Sequence, residues 1–262
     1  MAYPDPPQRV RLLGGDVDLT TPRDVLRRID GAARGERASV IANHNAHSLF
    51  LVRRSPQLQA FFAGAELIQI DSTPLILWGR LLGLPMTRAM RSTYLDWRDD
   101  FWRLADARRW RVFYLGGAPG VAETAARRLG EHYPKVRIGG RDGYFDQAPD
   151  SRENQEVLAQ IAAFDPDVLM VGMGMPLQEI WVQENRAAIG RGVILTVGAA
   201  FDYEAGVQAA PPRWTGRFGV EWLARLIGQP QRLAFRYLVE PWALVWPALQ
   251  DIGAAVVRST AR

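Results

Sequence analysis

Six short apolar runs, Val40–Ile41, Leu67–Ile70, Val112–Leu115, Val136–Ile138, Val168–Val171 and Val193–Val197, punctuate the chain. Helical patterns of about ten to fifteen residues separate them, as expected of strands joined by helical crossovers. That alternation restricts the fold, because a strand rejoining the same sheet in parallel needs a long connection and a helix supplies it. The expected architecture is α/β and Rossmann-like, a mostly parallel sheet flanked by helices. The first helix is well signalled: a threonine hydroxyl at Thr20-Thr21, then Pro22 and Asp24, open a helix running to about Ala33. The 262 residues are enough for one large or two small domains with a proper core.

A compositional break falls at Ala209-Ala-Pro-Pro212, where glycine-ended strands stop and Arg/Trp-rich helical patterns begin. Seven of the 32 basic residues, but only three of the 28 acidic ones, lie from Arg213 onward, so the net charge of +4 belongs to this tail. Four of the nine tryptophans lie there too. We therefore divide the chain into residues 1–210, an α/β globular unit, and residues 211–262, a helical appendage. Cations beside amphipathic aromatics at helical spacing fit an interfacial helix meeting lipid phosphates better than a nucleic-acid surface. The apolar run at residues 242–249 is far below the roughly 20 residues of a membrane span. The first residues, Met-Ala-Tyr-Pro-Asp-Pro-Pro, lack the basic and apolar regions of a signal peptide, and the absence of cysteine fits the cytoplasm.

In open α/β sheets ligands bind beyond the carboxyl ends of the strands. Asn43 and Asn45, Asp71, Gln178 and Asp202 all fall at such ends. Asp71 reads equally as a partly desolvated general base or as the cap of the next helix. Gly116-Gly117-Ala-Pro-Gly120 and Gly172-Met-Gly174-Met-Pro each end a strand and open a helix, so their amides and the helix dipole can cradle a pyrophosphate. Neither turn matches a dinucleotide fingerprint or a P-loop. Gln178 is placed to bind a sugar or phosphate, Glu179 to complement the helix dipole. Asp16-Val-Asp18 reads as a capping turn, and Asp165-Pro-Asp167 lies at the amino end of its strand, so neither suits a metal. His44 and His47 read as neighbours on one helix, with no carboxylate at ligand spacing.

Taken together, Phe113-Tyr-Leu-Gly-Gly-Ala-Pro-Gly120, Gly143-Tyr-Phe145, Pro166-Asp-Val-Leu-Met-Val-Gly-Met-Gly-Met-Pro-Leu-Gln-Glu179, Val197-Gly-Ala-Ala-Phe-Asp202, Ala210-Pro-Pro-Arg-Trp214 and Glu221-Trp-Leu-Ala-Arg225 resemble the TagA/WecG/CpsF glycosyltransferases (glycosyltransferase family twenty-six). The resemblance implies an inverting transfer of a hexose, glucose or an N-acetylmannosamine-type sugar, from a UDP donor to a polyprenyl-diphosphate-linked sugar. It implies exopolysaccharide or cell-wall polymer synthesis at the cytoplasmic face of the inner membrane, without metal or cofactor. Asp71 matches the catalytic base and Arg88 a cation near the departing diphosphate; Asn45 and Gln178 match pocket residues and Asp202 an acid reading the uracil. Arg225, Arg232 and Arg236 match arginines meeting the lipid diphosphate. Arg91-Ser-Thr-Tyr-Leu-Asp-Trp97 and Tyr237-Leu-Val-Glu-Pro-Trp242 look like the branch containing the xanthan-type glucosyltransferase. Asn43, Ser72 and Met90-Arg-Ser-Thr93 depart from the family's usual residues, which leaves the sugar open. Linkage, acceptor, oligomeric state and any closure of the appendage over the site stay open too. A Rossmann-type oxidoreductase and a non-catalytic membrane scaffold are the alternatives, told apart by NAD binding and by an inert Asp71→Asn change.

Overall fold

A computed structural model describes residues 7–209, 223, 226 and 230–260. Six strands form one fully parallel sheet in the order β4 (Leu67–Ile70), β3 (Ser39–His44), β8 (Val193–Thr196), β7 (Val168–Gly172), β5 (Arg111–Gly116), β6 (Arg137–Arg141). These are the six expected strands. Side chains alternate across the sheet. Ile41, Val112, Tyr114, Met170 and Leu195 meet α1 (Pro22–Ala32), α5 (Tyr94–Arg108), α6 (Val121–His132) and α9 (Ala200–Ala205) on one face. Val40, Phe113, Leu115, Val171 and Ile194 meet α3 (Pro56–Ala63), α7 (Arg152–Phe164) and α8 (Leu177–Ile189) on the other. Both faces are covered, which is why the strands read as continuous apolar runs.

Helix α1 starts as its sequence directs. Thr21 caps it, the Asp24 side chain accepts from the Thr21 amide at 2.9 Å, and Pro22 occupies the first turn. The sequence reading missed a hairpin before it. β1 (Arg9–Leu12) pairs antiparallel with β2 (Gly15–Asp18) through Leu13 and Gly14, both at positive φ as a two-residue hairpin turn requires. Asp18 is therefore a strand residue and not part of a capping turn. Buried, it accepts two bonds of 2.8 Å from the Arg9 guanidinium and one of 2.7 Å from the Ile68 amide, and so locks the hairpin to β4. Asp165 and Asp167 likewise pair with Arg111 and Arg191.

Helices α2 (Ala46–Val52) and α4 (Thr73–Leu81) cap the β3–β4 end of the sheet. The described part of the tail folds onto them: α10 (Pro230–Leu238), a 3-10 turn over Glu240–Leu244, and α11 (Val245–Thr260). Leu244 is buried among Leu13, Leu49, Ile70 and Leu75. Asp251 of α11 accepts from the Leu13 amide at 2.8 Å and the Trp78 indole at 3.0 Å. The Arg53 guanidinium bonds the Ala243 carbonyl. Large apolar side chains nevertheless stay exposed along this segment, including Trp242 (76 %), Trp246 (64 %) and Leu249 (56 %).

Candidate active site

The connections from β5 and β7 leave in opposite directions along the sheet, to β6 and to β8, so a crevice opens between their carboxyl ends. Gly116 and Gly172 face each other there in register. A Cβ on Gly116 would lie 2.4 Å from the Gly172 carbonyl. One on Gly172 would lie 2.3 Å from both the Gly198 carbonyl and the Tyr114 hydroxyl. Those two glycines let three turns approach one another. Gly174, at φ +80°, faces open space.

A cavity of about 1440 Å³ occupies this crevice. Asn43, Asn45, Asp71, Gly117, Gly172, Gly174, Gln178, Asp202 and Arg236 all line it, so most of the residues singled out in the sequence meet in one place. Gly116 lies beneath the floor and Arg88, exposed on a 3-10 turn over Arg88–Met90, does not line it. Arg225 lies outside the described residues, and Arg232 belongs to α10.

Each wall has a local cause. Asn43 donates to the Thr196 carbonyl at 2.8 Å, tying β3 to β8 at the cavity's edge. Asn45 is the N-cap of α2, its side-chain Oδ1 accepting from the Ser48 amide at 3.0 Å and from the Arg236 guanidinium at 3.5 Å. Asp71 follows β4 directly and its amide bonds the His44 carbonyl at 2.9 Å. Ser72, not Asp71, holds the N-cap position of α4, so the capping alternative for Asp71 is not realised. The chain after the 3-10 turn then adds a single bridge to the sheet, Ile70 to Arg91, which brings Arg91 beside Asp71.

Gln178 is committed to the protein. Its carbonyl accepts from the amides of Gly174 at 3.3 Å and Gly198 at 3.2 Å, bracing two glycine turns, while its NH₂ donates to Glu179 at 2.6 Å. Glu179 is completely buried, with its second oxygen unpartnered, and burial raises its carboxyl to about 7 against the opposing hydrogen bond from Gln178. It stands in the first turn of α8, where an acid complements the helix dipole, but inside the protein. Burial also pushes the Asp202 carboxyl upward.

Sequence reasoning missed the contribution of the tail's acid. His47 of α2 bonds Glu240 at 2.6 Å, and both line the cavity. Burial and the nearby Arg236 lower the His47 pKa, while Glu240 acts in the opposite sense. His44 is not on a helix with His47. It ends β3, buried, stacked 3.8 Å from Phe62 and held neutral by burial at about 3. The one available signal was Glu240-Pro241, Glu240 being one of three acids in a tail that carries seven arginines. Among the described residues, no three of His, Asp and Glu gather as a metal site.

A second, smaller cavity of about 490 Å³ adjoins the first. The two share Asn45, His47, Asp71, Arg236 and Tyr237. Beyond these residues the second is a trough between α4 and the 241–248 stretch, walled by Leu75, Trp78, Pro241, Leu244, Val245 and Ala248.

Two kinds of comparison bear on this site. The chain is similar to the N-acetylglucosaminyldiphosphoundecaprenol N-acetyl-β-D-mannosaminyltransferase of Staphylococcus aureus strain MW2, with 27% identity over 86% of this chain and 87% of the relative. The same holds for the enzymes of strains NCTC 8325 / PS 47 and COL, at 27% over 84% of each chain. The model of the glycosyl transferase WecG/TagA/CpsF family matches residues 10–255, spanning the sheet, both cavities and most of the described tail. The chain belongs to the WecG/TagA/CpsF family and is a glycosyltransferase.

Proposed function

We propose that this enzyme transfers a hexose from a UDP-sugar to a sugar carried on a polyprenyl diphosphate, with inversion, during synthesis of a cell-surface polymer. One observation carries the reading: Asp71 is the only carboxylate, among the described residues, that lines both the large polar cavity and the apolar trough. A donor bound over the glycine turns and an acceptor entering beside the trough would meet at that carboxylate. Asp71 would take the proton from the acceptor hydroxyl as its oxygen attacks the anomeric carbon, and the bond to UDP would break on the opposite face. Charge on the departing diphosphate would be met by the amides of the Gly172–Gly174 turn and the amino end of α8, with Arg236 as a cation. Asp202, at the far side of the cavity, would receive the base.

The relatives named above act on a diphosphoundecaprenol-linked N-acetylglucosamine, and the same class of acceptor is proposed here. Trp242, Trp246 and Leu249, exposed beside the trough, support docking of the tail on the cytoplasmic face of the membrane. Among the described residues no helix is long and apolar enough to cross a bilayer. No metal is assigned a role.

The test uses purified protein, a panel of UDP-sugars and a polyprenyl-diphosphate N-acetylglucosamine, with EDTA present, following UDP release and lipid-linked disaccharide. Wild-type protein should form product with one donor. Asp71→Asn should lower kcat by about 10²- to 10⁴-fold, the usual contribution of a positioned base, with UDP affinity preserved. An active Asp71→Asn protein would remove the base, and activity restored only by Mg²⁺ would reject the metal-free reading.

A further inference from the structure

We propose that the trough between α4 and the 241–248 stretch binds the isoprenoid chain of the acceptor, taking the units nearest the diphosphate. This rests on the acceptor class proposed above and assigns the lipid its own site in the protein, distinct from the bilayer.

The argument begins with polarity. The trough is polar at the end it shares with the large cavity, where Asp71, Arg91 and Arg236 stand, and apolar along its walls. A molecule with an anionic head and a hydrocarbon tail matches that sequence of surfaces. Ser72 and Thr73 follow Asp71 at that polar end, and along the stretch lined by Leu75, Trp78, Pro241, Leu244, Val245 and Ala248 the Trp78 indole N–H already donates to Asp251 at 3.0 Å. A peptide laid along that stretch would bury amide groups against apolar side chains, at a cost of about 1–3 kcal/mol for each left unpaired. An isoprenoid has no such groups. Volume agrees as well: about 490 Å³ lies within the roughly 300–1,000 Å³ range of small-molecule pockets.

Continuity supplies the second argument. The elements that form the walls carry their exposed large apolar side chains outward, Leu77 and Leu81 on α4 and Trp246 and Leu249 on α11. The protein therefore offers apolar surface at the trough and on the outside of both its walls. One ligand could keep its reactive sugar at Asp71 while the rest of its chain stayed in lipid.

The probes are farnesyl diphosphate and inorganic pyrophosphate, titrated calorimetrically into the full chain, together with acceptors carrying ten-, fifteen- and fifty-five-carbon chains. Two variants narrow the trough: Ala248→Leu, and Val245→Trp at a half-exposed position that tolerates bulk. Wild-type protein should bind farnesyl diphosphate at least about tenfold more tightly than pyrophosphate, a modest fraction of what burying several methylene groups can give. Both variants should lose most of that preference while retaining wild-type UDP affinity and melting temperature. A preference absent from the wild type, or surviving both substitutions, would overturn the proposal. So would a stable dimer that Val245→Trp dissociates and farnesyl diphosphate leaves intact, since a second copy would then be the occupant. Failure of sugar transfer with the farnesyl preference intact would overturn the proposed reaction and leave the trough assignment standing. Transfer that is indifferent to chain length in every protein would do the reverse.

Discussion

Replacing Asp251 with alanine should detach the tail from the sheet without unfolding the sheet. The Asp251 carboxylate receives the Leu13 amide at 2.8 Å and the Trp78 indole at 3.0 Å, the first from the hairpin turn and the second from α4. Hydrogen bonds to a charged acceptor contribute about 1.5–3 kcal/mol each. Asp251 is half-buried, so the lower figure applies and the pair together gives roughly 3 kcal/mol. At 1.4 kcal/mol per tenfold, local opening of the tail should become about a hundredfold more frequent. Asp251→Asn keeps an acceptor oxygen and loses the charge, so it should cost about 1 kcal/mol, or roughly a five- to tenfold rise in opening. Hydrogen exchange read by mass spectrometry on peptides covering residues 240–257, beside peptides covering β7 and β8, measures both. Unchanged exchange in 240–257, or an equal rise in the central strands, would refute the reasoning. The first outcome would mean that Leu244 packing alone holds the tail, the second that tail and sheet open as one unit.

Glu179 gives a pH prediction with a definite sign. Its carboxyl is raised from 4.5 to about 7 by burial, so its stabilising neutral form is fully present below about 4.5 and is lost as pH climbs through 7. Glu179→Gln copies the neutral acid, and should flatten the fall in melting temperature between pH 5 and pH 8 by an amount equivalent to roughly 3 kcal/mol. An unchanged slope would show that the acid is ionised within the fold. The crevice glycines should separate into two kinds. Gly172→Ala places a Cβ 2.3 Å from the Gly198 carbonyl and should destabilise by several times the ~1 kcal/mol expected of Gly174→Ala, which meets open space and suffers only its φ of +80°. Equal melting temperatures for the two would remove the close approach as the reason for glycine at 172.

The sheet was legible because strands buried on both faces write themselves as runs of Val, Ile and Leu, and all six expected runs became strands. The hairpin was not. Arg9-Val-Arg-Leu12 and Gly15-Asp-Val-Asp18 alternate with period two, but each is short and charged, and an aspartate before a helix reads more readily as a cap than as the buried partner of an arginine. At the site, the position of polar residues after strands foretold Asn43, Asn45, Asp71, Gln178 and Asp202 together. What they do to one another was hidden. The bond from Gln178 to two glycine turns depends on where Gly174 and Gly198 meet in space, and they are far apart in sequence. His47 with Glu240 is a still longer connection, 193 residues apart, and Glu240-Pro241 marks only one end of it.

The clasp between Leu13 and Asp251 also fixes an order of events during synthesis. The hairpin, α2 and α4 can form once the sheet is laid down, yet the apolar surface they present beneath Leu244 waits for residues 240–251 to leave the ribosome. A chain released early, before that stretch is made, would display Leu13, Leu49 and Leu75 as an open sticky patch. Such fragments should be found with chaperones or in the pellet. The same arrangement means that the trough between α4 and the 241–248 stretch is complete only when nearly all of this sequence has been translated.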